Sequence, residues 1–246
     1  MTTHPEPAAS GSEIRVLSAG AMGEIVDALG EAYTLTTGIE VSAEFSRSPL
    51  VRDRIRAGEP FDVAVTTQSR IDELARAGKV VAETAATVAR SLIGVAVQAG
   101  NPRPDIASVA SFVSTLRAAR SIACADPAFG TASGLYLKDL FDRLGLTAEL
   151  QPKLRLVGAS GGEPLVVCAA VADGRAELGI QQIAEIVPIP GVDLVGPIPQ
   201  EIQHTTAFAV AVVSAAPNPH AARAFVASFA SPAARVIIRA HGMEPP

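Results

Sequence analysis

The sequence predicts an α/β protein with two lobes, each built on a mainly parallel sheet covered by helices. Strand and helix patterns alternate along nearly the whole chain, and a loop rich in Pro and Gly at residues 98–105 interrupts the series before it restarts. Of the 246 residues, 48% are hydrophobic but only 4% are aromatic, which is typical of α/β layers packed from small aliphatic side chains. We expect a first lobe at residues 14–88 plus 205–246, a second lobe at residues 89–204, and a disordered leader at residues 1–13.

The first series consists of three strand–helix units. Each apolar strand is followed by a helical pattern that ends at a glycine, as at Gly38 and Gly58. Pro49 stands in the first turn of the second helix, where its missing N–H removes no hydrogen bond. This alternating order of strands and helices predicts a parallel sheet covered by helices, with right-handed crossovers. The predicted strands cover residues 14–20, 39–45 and 61–67, and the predicted helices cover residues 22–38, 49–57 and 69–78.

The second series alternates in the same way and has its own predicted sheet. A Pro-rich stretch after residue 186 allows one short strand, and a last strand and two helices close the chain. The predicted strands cover residues 89–97, 121–126, 154–160, 178–182, 192–195 and 205–213, and the predicted helices cover residues 109–119, 131–145, 163–174, 219–229 and 232–241.

Charge and hydropathy exclude several kinds of partner. The net charge is −5 and no basic run occurs, so we expect no nucleic-acid partner. No apolar run reaches the roughly 18 residues of a membrane span, so we expect no membrane insertion. The N-terminal residues show no signal-peptide pattern, which predicts a cytoplasmic protein as the sequence stands, or a periplasmic one if a signal was removed. Cys124 and Cys168 both lie in apolar runs and are most simply buried free thiols, although the sequence leaves a disulfide open.

Small polar residues follow four strands, at the points where helices begin. In an open parallel sheet, ligands lie at these carboxyl ends, facing the N–H groups of helix N-termini. If the lobes face each other, the four junctions converge on one cleft. Each residue also has an ordinary interpretation, because Ser or Thr before a helix is usually an N-cap and a lone Arg is usually solvated. The candidate ligand-binding residues are Gly20, Ala21, Arg47, Ser48, Thr131, Ala132, Ser133 and Gln182.

Motifs for other chemistries are absent from the sequence. There is no Gly-x-Gly-x-x-Gly after the first strand, no Walker-type Lys and no Gly-x-Ser-x-Gly elbow. No His, Cys or Asp cluster has metal-ligand spacing. We therefore expect neither a cofactor nor a metal ion.

Several segments together resemble the type II periplasmic solute-binding proteins, and most closely the molybdate-binding proteins of ABC transporters. The resemblance runs from about residue 14 to residue 242 and is carried by the order of "VLSAGAM", "FSRSPLVRDRIRAGEPFDVAVTT", "DPAFGTASGLYLKDLFDRLG", "GRAELGIQQ" and "FAVAVV". It implies two Rossmann-like lobes with mixed, mainly parallel sheets, joined by hinge strands and closing over a small anion. It also implies an ABC permease as partner if the protein is exported.

The site residues that the resemblance implies are partly changed here. Ser48 matches a serine of the molybdate-binding proteins, but Ala21 stands where they have another serine and Gln182 where they have a tyrosine. Main-chain N–H groups are implied at Ala132 or Ser133, and near the predicted helix start at residues 163–164. Arg47 replaces a small residue, and its planar fork suits a carboxylate. We therefore expect a small anionic metabolite, a di- or tricarboxylate rather than a molybdate-like oxyanion.

Some relatives of this family are isomerases, and aconitate isomerase resembles it. A cofactor-free allylic proton shift needs a base within reach of the substrate and cationic donors for its carboxylates. The candidates are Glu163, at a predicted helix start, and His204, before the strand that returns to the first lobe. The first is also explained as an acid favoured by the helix dipole, and the second as a structural His. A ligand-sensing regulatory domain is a third alternative, but no room for a helix-turn-helix remains before residue 14 or after residue 242.

Overall fold

The computed structural model describes residues 13–158 and 166–246, which contain nine paired strands. Their order is β2-β1-β3-β9-β4-β7-β5-β6, with β8 paired to β4. The strands are β1 (Glu13–Ala19), β2 (Glu40–Ser46), β3 (Val63–Thr67), β4 (Ala86–Gln98), β5 (Ile122–Ala125), β6 (Leu154–Val157), β7 (Leu178–Gln182), β8 (Val192–Pro197) and β9 (Thr205–Val212).

The α-helices flank this sheet and several are short. Their bounds agree with the predicted helices to within a few residues except in the second lobe, where four-residue helices also occur. They are α1 (Gly23–Thr37), α2 (Ser48–Ala57), α3 (Gln68–Arg76), α4 (Val109–Ala118), α5 (Ala132–Arg143), α6 (Thr147–Leu150), α7 (Ala169–Ala172), α8 (Ile183–Ile186), α9 (Pro219–Ser228) and α10 (Pro232–Ala240).

The first lobe is a sheet with helices on both faces. β1, β2 and β3 are parallel, and β9 is antiparallel to β3. Side chains alternate across β3: Val63 and Val65 pack in the core cluster that contains α1, α9 and α10, whereas Ala64 packs in the cluster that contains α2 and α3. Every residue of β3 is buried, which explains why its sequence is an apolar run and not a polar–apolar alternation.

The second lobe repeats this arrangement with β7, β5 and β6 parallel and β4 antiparallel to β7 and β8. Its main core joins the sheet to α4 and α5, through Phe112, Leu116, Leu137 and Phe141 among others. Cys124 and Cys168 are both buried and free, which confirms the interpretation as thiols. Burial raises the pKa of each thiol to about 12, so both are neutral at physiological pH.

The two lobes are joined through β4. Its residues 86–92 pair with β9, and its residues 93–98 pair with β7 and β8. This 13-residue strand is longer than the predicted one and connects the sheet of the first lobe to that of the second, since its two halves belong to different lobes. The α/β fold class with two lobes and mixed sheets is confirmed, while the residue at which one lobe ends stays a prediction.

Some predictions fall on residues that the structure does not describe. Glu13, the last residue of the predicted leader, is the first residue of β1, and residues 1–12 lie outside the described part. Of the helix predicted at residues 163–174, residues 163–165 lie outside it, and the helical remainder is α7.

Among the described residues, no single helix has the length and hydropathy to cross a membrane, and only α9 and α10 taken together, with a bend of 67°, meet the criteria of length and composition.

Candidate functional site

A cavity between the two lobes brings the predicted junctions together. The cavity has a volume of about 40 Å³. All eight residues predicted to bind ligand line it, although a role in binding stays a prediction. The lining residues are Ala19, Gly20, Ala21, Ser46, Arg47, Ser48, Thr67 and Phe208 from the first lobe, and Ala125, Thr131, Ala132, Ser133, Gln181, Gln182 and Glu185 from the second.

Two helix starts on the first-lobe wall have no side-chain cap. Ala19 precedes the 3-10 turn Gly20–Met22, and Arg47 precedes α2, and neither side chain accepts a hydrogen bond from the first turn. The hydroxyl of Ser48 makes no side-chain hydrogen bond within the described part of the chain. Because the first N–H groups of a helix lack partners inside the helix, this wall offers donors to an anion. The N-cap interpretation does not apply to Ser48.

Arg47 is held against the second lobe and does not extend into bulk water. Its guanidinium carbon lies 4.5 Å from the centroid of the Phe129 ring, which belongs to the 3-10 turn Pro127–Phe129. That ring packs closely on Gly158, where a Cβ atom would lie 2.2 Å from the ring. Among the described residues Arg47 forms no ion pair, and its buried Nε has no hydrogen-bond partner. A buried cationic donor without a partner favours binding of an anion.

The second-lobe wall supplies hydroxyls and an amide. Thr131 has its ordinary role as the N-cap of α5, since its hydroxyl accepts from the N–H of Gly134 at 3.4 Å. Ser133 is buried, and its hydroxyl makes no side-chain hydrogen bond in the portion of the chain that is described.

Gln182 is buried and presents one unpartnered amide atom. Its Nε2 donates to the hydroxyl of Thr206 at 2.7 Å, while its Oε1 has no partner among the described residues. The oxygen and nitrogen of an amide have almost the same shape, so a rotated amide would accept from the Thr206 hydroxyl and leave an N–H donor free. Gln182 can therefore form a hydrogen bond with either a protonated or an ionised group of a ligand.

Glu185 is a cavity residue that the sequence did not reveal. It lies on α8, is half-buried, and its carboxyl is hydrogen-bonded by the side chain of Gln181. Burial raises the pKa of Glu185 to about 7, although the Gln181 hydrogen bond lowers it in part. A helix of four residues is too short to produce a period, so the only signal was an acid three residues after Gln182.

Neither predicted catalytic residue is among the described residues that line this cavity. Glu163 lies outside the described residues. His204 lines an adjoining cavity, where its ring stacks on Tyr136 with the ring centroids 4.6 Å apart, and burial lowers its pKa. The two cavities share Ser48, Thr67 and Ala132. His204 is therefore near the first cavity without lining it, and its catalytic role stays a prediction.

The titratable side chains of the described residues do not form a metal site. Within residues 13–158 and 166–246, no group of three or more His, Cys, Asp or Glu side chains is arranged to hold a metal ion.

Comparisons with known proteins agree with the architecture. A sequence model of the family described as bacterial extracellular solute-binding protein matches residues 14–244. The chain is 35% identical over 238 residues to aconitate isomerase from Pseudomonas sp, covering 94% of this chain and 87% of that protein. It is 26% identical over 233 residues to the molybdate-binding protein ModA of Escherichia coli (strain K12), covering 94% and 88%. The periplasmic molybdate-binding protein of Azotobacter vinelandii superposes with a TM-score of 0.77 at 21% identity, covering 95% and 99%. The chain therefore belongs to the bacterial extracellular solute-binding protein family and has the type II periplasmic-binding-protein fold.

Proposed function

We propose that this protein reversibly binds a small carboxylic acid with two or three carboxylates in the cavity between its lobes. The observation that carries the proposal is Arg47, a guanidinium that stacks on Phe129 across the cleft, forms no ion pair within the described residues and has a buried, unpartnered Nε. A planar guanidinium binds a carboxylate through two parallel N–H···O bonds. Ser48, Ser133 and the uncapped helix starts complete a set of donors around it.

The differences from the molybdate-binding proteins support a carboxylate over a tetrahedral oxyanion. Ala21 supplies no hydroxyl, and Gln182 stands where the resemblance implies a tyrosine. The wall also carries Glu185, whose pKa is raised to about 7, so an anion that is charged on all sides would face an ionisable carboxyl. A carboxylic acid has both charged and uncharged faces and suits this mixed wall better.

The dimensions of the cavities support a ligand that spans two of them. The first cavity has a volume of about 40 Å³, and the adjoining cavity has a volume of about 270 Å³. A carboxylate on Arg47 would fill the first, and the rest of the molecule would extend towards Arg70 and His204 in the second. Entry would require the lobes to move apart about β4 and β9, so we propose that they close over the ligand.

A second candidate function is isomerisation of an unsaturated carboxylic acid without a cofactor. Two observations favour it: the identity of 35% to aconitate isomerase, and a cavity carboxyl whose pKa lies near the pH of the cell. Location would separate the two functions. A transporter's binding protein must be exported and must meet an ABC permease, whereas an isomerase acting in the cytoplasm needs neither.

A thermal-shift screen tests the proposed ligand class. The ligands would be molybdate, sulfate, phosphate, malate, citrate and trans-aconitate, with glucose as a neutral control. A ligand at 100 times its Kd stabilises the folded state by about 2.7 kcal/mol, which corresponds to a rise in Tm of roughly 5–10 °C for a chain of this size. We expect the largest rise with a di- or tricarboxylate. A rise with molybdate or sulfate and none with any carboxylate would contradict the proposal.

A further inference from the structure

We propose that Glu185 is the acid–base residue of this site, which takes a proton from one carbon of a bound unsaturated carboxylic acid and returns it to another. The inference rests on the proposed function, because it requires a carboxylate ligand in the cavity. It assigns a role to a residue for which neither the sequence motifs nor the family resemblance gave one.

Glu185 and Arg47 line the same cavity from elements of different lobes. A ligand that binds Arg47 in this cavity would therefore also meet the Glu185 carboxyl. Ile183 of α8 packs closely on Gly94 of β4, since a Cβ atom at Gly94 would lie 2.7 Å from the isoleucine side chain. The helix also packs against the 3-10 turn Gly20–Met22 of the first lobe. These contacts fix α8 at the wall of the cavity.

The carboxylate of Glu185 alone can carry out both proton transfers of the reaction. The carboxylate of Glu185 would take a proton from the CH2 carbon next to the C=C bond of the substrate, and the C–H electron pair would enter the allylic system. The negative charge would spread onto a substrate carboxylate, where the guanidinium of Arg47 stabilises it. The Glu185 carboxyl would then give its proton to the formerly vinylic carbon, which moves the double bond by one position. No electron is gained or lost overall, and Glu185 returns to its starting form.

The ionisation of Glu185 suits both halves of this step. A residue that accepts and then donates a proton works best when its pKa lies near the working pH. Burial raises the pKa of Glu185 to about 7, so acid and base forms are both populated at neutral pH. The hydrogen bond from Gln181 orients the carboxyl.

Among the described residues that line the cavity, Glu185 is the ionisable residue whose pKa is raised to near neutrality. Cys168 lies close enough for the charge of Glu185 to raise its pKa further, but burial already keeps this thiol neutral. The Gly20–Met22 turn and β7 carry no ionisable residue. Elsewhere on the segments packed against α8, the ionisable residues are Arg90 on β4, Asp193 on β8, and His241 and Glu244 beside Gly242.

Hydrogen exchange into trans-aconitate tests the proposal. The protein would be incubated with trans-aconitate in D2O, loss of the CH2 and vinylic proton signals would be followed by NMR, and binding would be measured by calorimetry. We expect the wild type to exchange these protons and to form the isomer. Glu185→Gln should bind within about threefold of the wild type, because the amide keeps the shape of the carboxyl, but should exchange at least 100-fold more slowly. The matched control is Glu201→Gln, an exposed acid on the same lobe, with unchanged exchange.

Three results would overturn the proposal: the first two leave the proposed binding function intact, and the third ends both. Exchange by Glu185→Gln at the wild-type rate would remove this residue from the reaction. Wild type that binds trans-aconitate but neither exchanges its protons nor forms the isomer would retain carboxylate binding and end the acid–base role. Wild type that binds no carboxylate would end both. If Glu185→Gln does not fold, the wild-type pH profile decides: exchange should depend on one ionisation near pH 7, and a flat profile between pH 6 and 8 would contradict the role.

Discussion

Arg47→Ala is expected to weaken binding of a di- or tricarboxylate by roughly ten- to a hundredfold. A hydrogen bond to a charged group contributes about 1.5–3 kcal/mol, and here the guanidinium is held in place by Phe129 before the ligand arrives. Little side-chain freedom is therefore lost on binding, which places the expected effect well above that of a surface ion pair. Titration calorimetry with the strongest carboxylate from the thermal-shift screen measures the change in Kd.

Two further variants separate the geometry of Arg47 from its charge. Arg47→Lys keeps the charge but not the planar fork. We therefore expect it to lose some affinity for the carboxylate, but less than Arg47→Ala does. Arg56→Ala removes an exposed arginine from the last turn of the same helix, α2, and should leave the Kd unchanged. An unchanged Kd in Arg47→Ala, or an equal loss in Arg56→Ala, would exclude a local role for this guanidinium.

The second large effect is a pH dependence of stability that Glu185 creates. Its pKa is raised from an ordinary value of 4.5 in the unfolded chain to about 7 in the folded protein. The folded state therefore holds this proton more tightly, and the stability that results is fully present below about pH 4.5 and is lost as the pH rises through 7. Relative to Glu185→Gln, the wild type should lose roughly 2–3 kcal/mol of unfolding free energy between pH 5 and pH 8.

Urea unfolding at the two pH values measures this difference. His204 titrates in the opposite sense, because burial lowers its pKa and its protonation at low pH opposes folding. Since both proteins contain His204, its contribution cancels when the variant is subtracted from the wild type. Stability curves for wild type and Glu185→Gln that run parallel from pH 5 to pH 8 would show that Glu185 is not buried as described.

The sequence predicted the architecture because the pattern of strands, helices and stop signals is strong in this chain. Apolar strands such as residues 61–67 and glycine stops such as Gly58 have direct local causes, and both were found near their predicted positions. The order of strands and helices predicts which residues lie at the carboxyl ends of the strands. Gly20, Ser48 and Gln182 were expected together for this reason, and they do line one cavity.

The remaining features of the site depend on contacts between residues far apart in the sequence. The stacking of Arg47 on Phe129 joins two lobes, and no local pattern encodes it. Glu185 is distinctive only because tertiary packing buries its carboxyl. Thr131 and Ser48 look alike in sequence, yet the first caps a helix and the second does not, since that depends on side-chain orientation.

A crystal structure of the protein with a bound tricarboxylate tests the central claim most directly. We predict that the lobes enclose the ligand, that one of its carboxylates accepts two hydrogen bonds from Arg47, and that Ser48 and the Gly20–Met22 turn donate to the same group. A ligand bound at another face, or an Arg47 guanidinium that points into solvent while the ligand occupies the cleft, would contradict it.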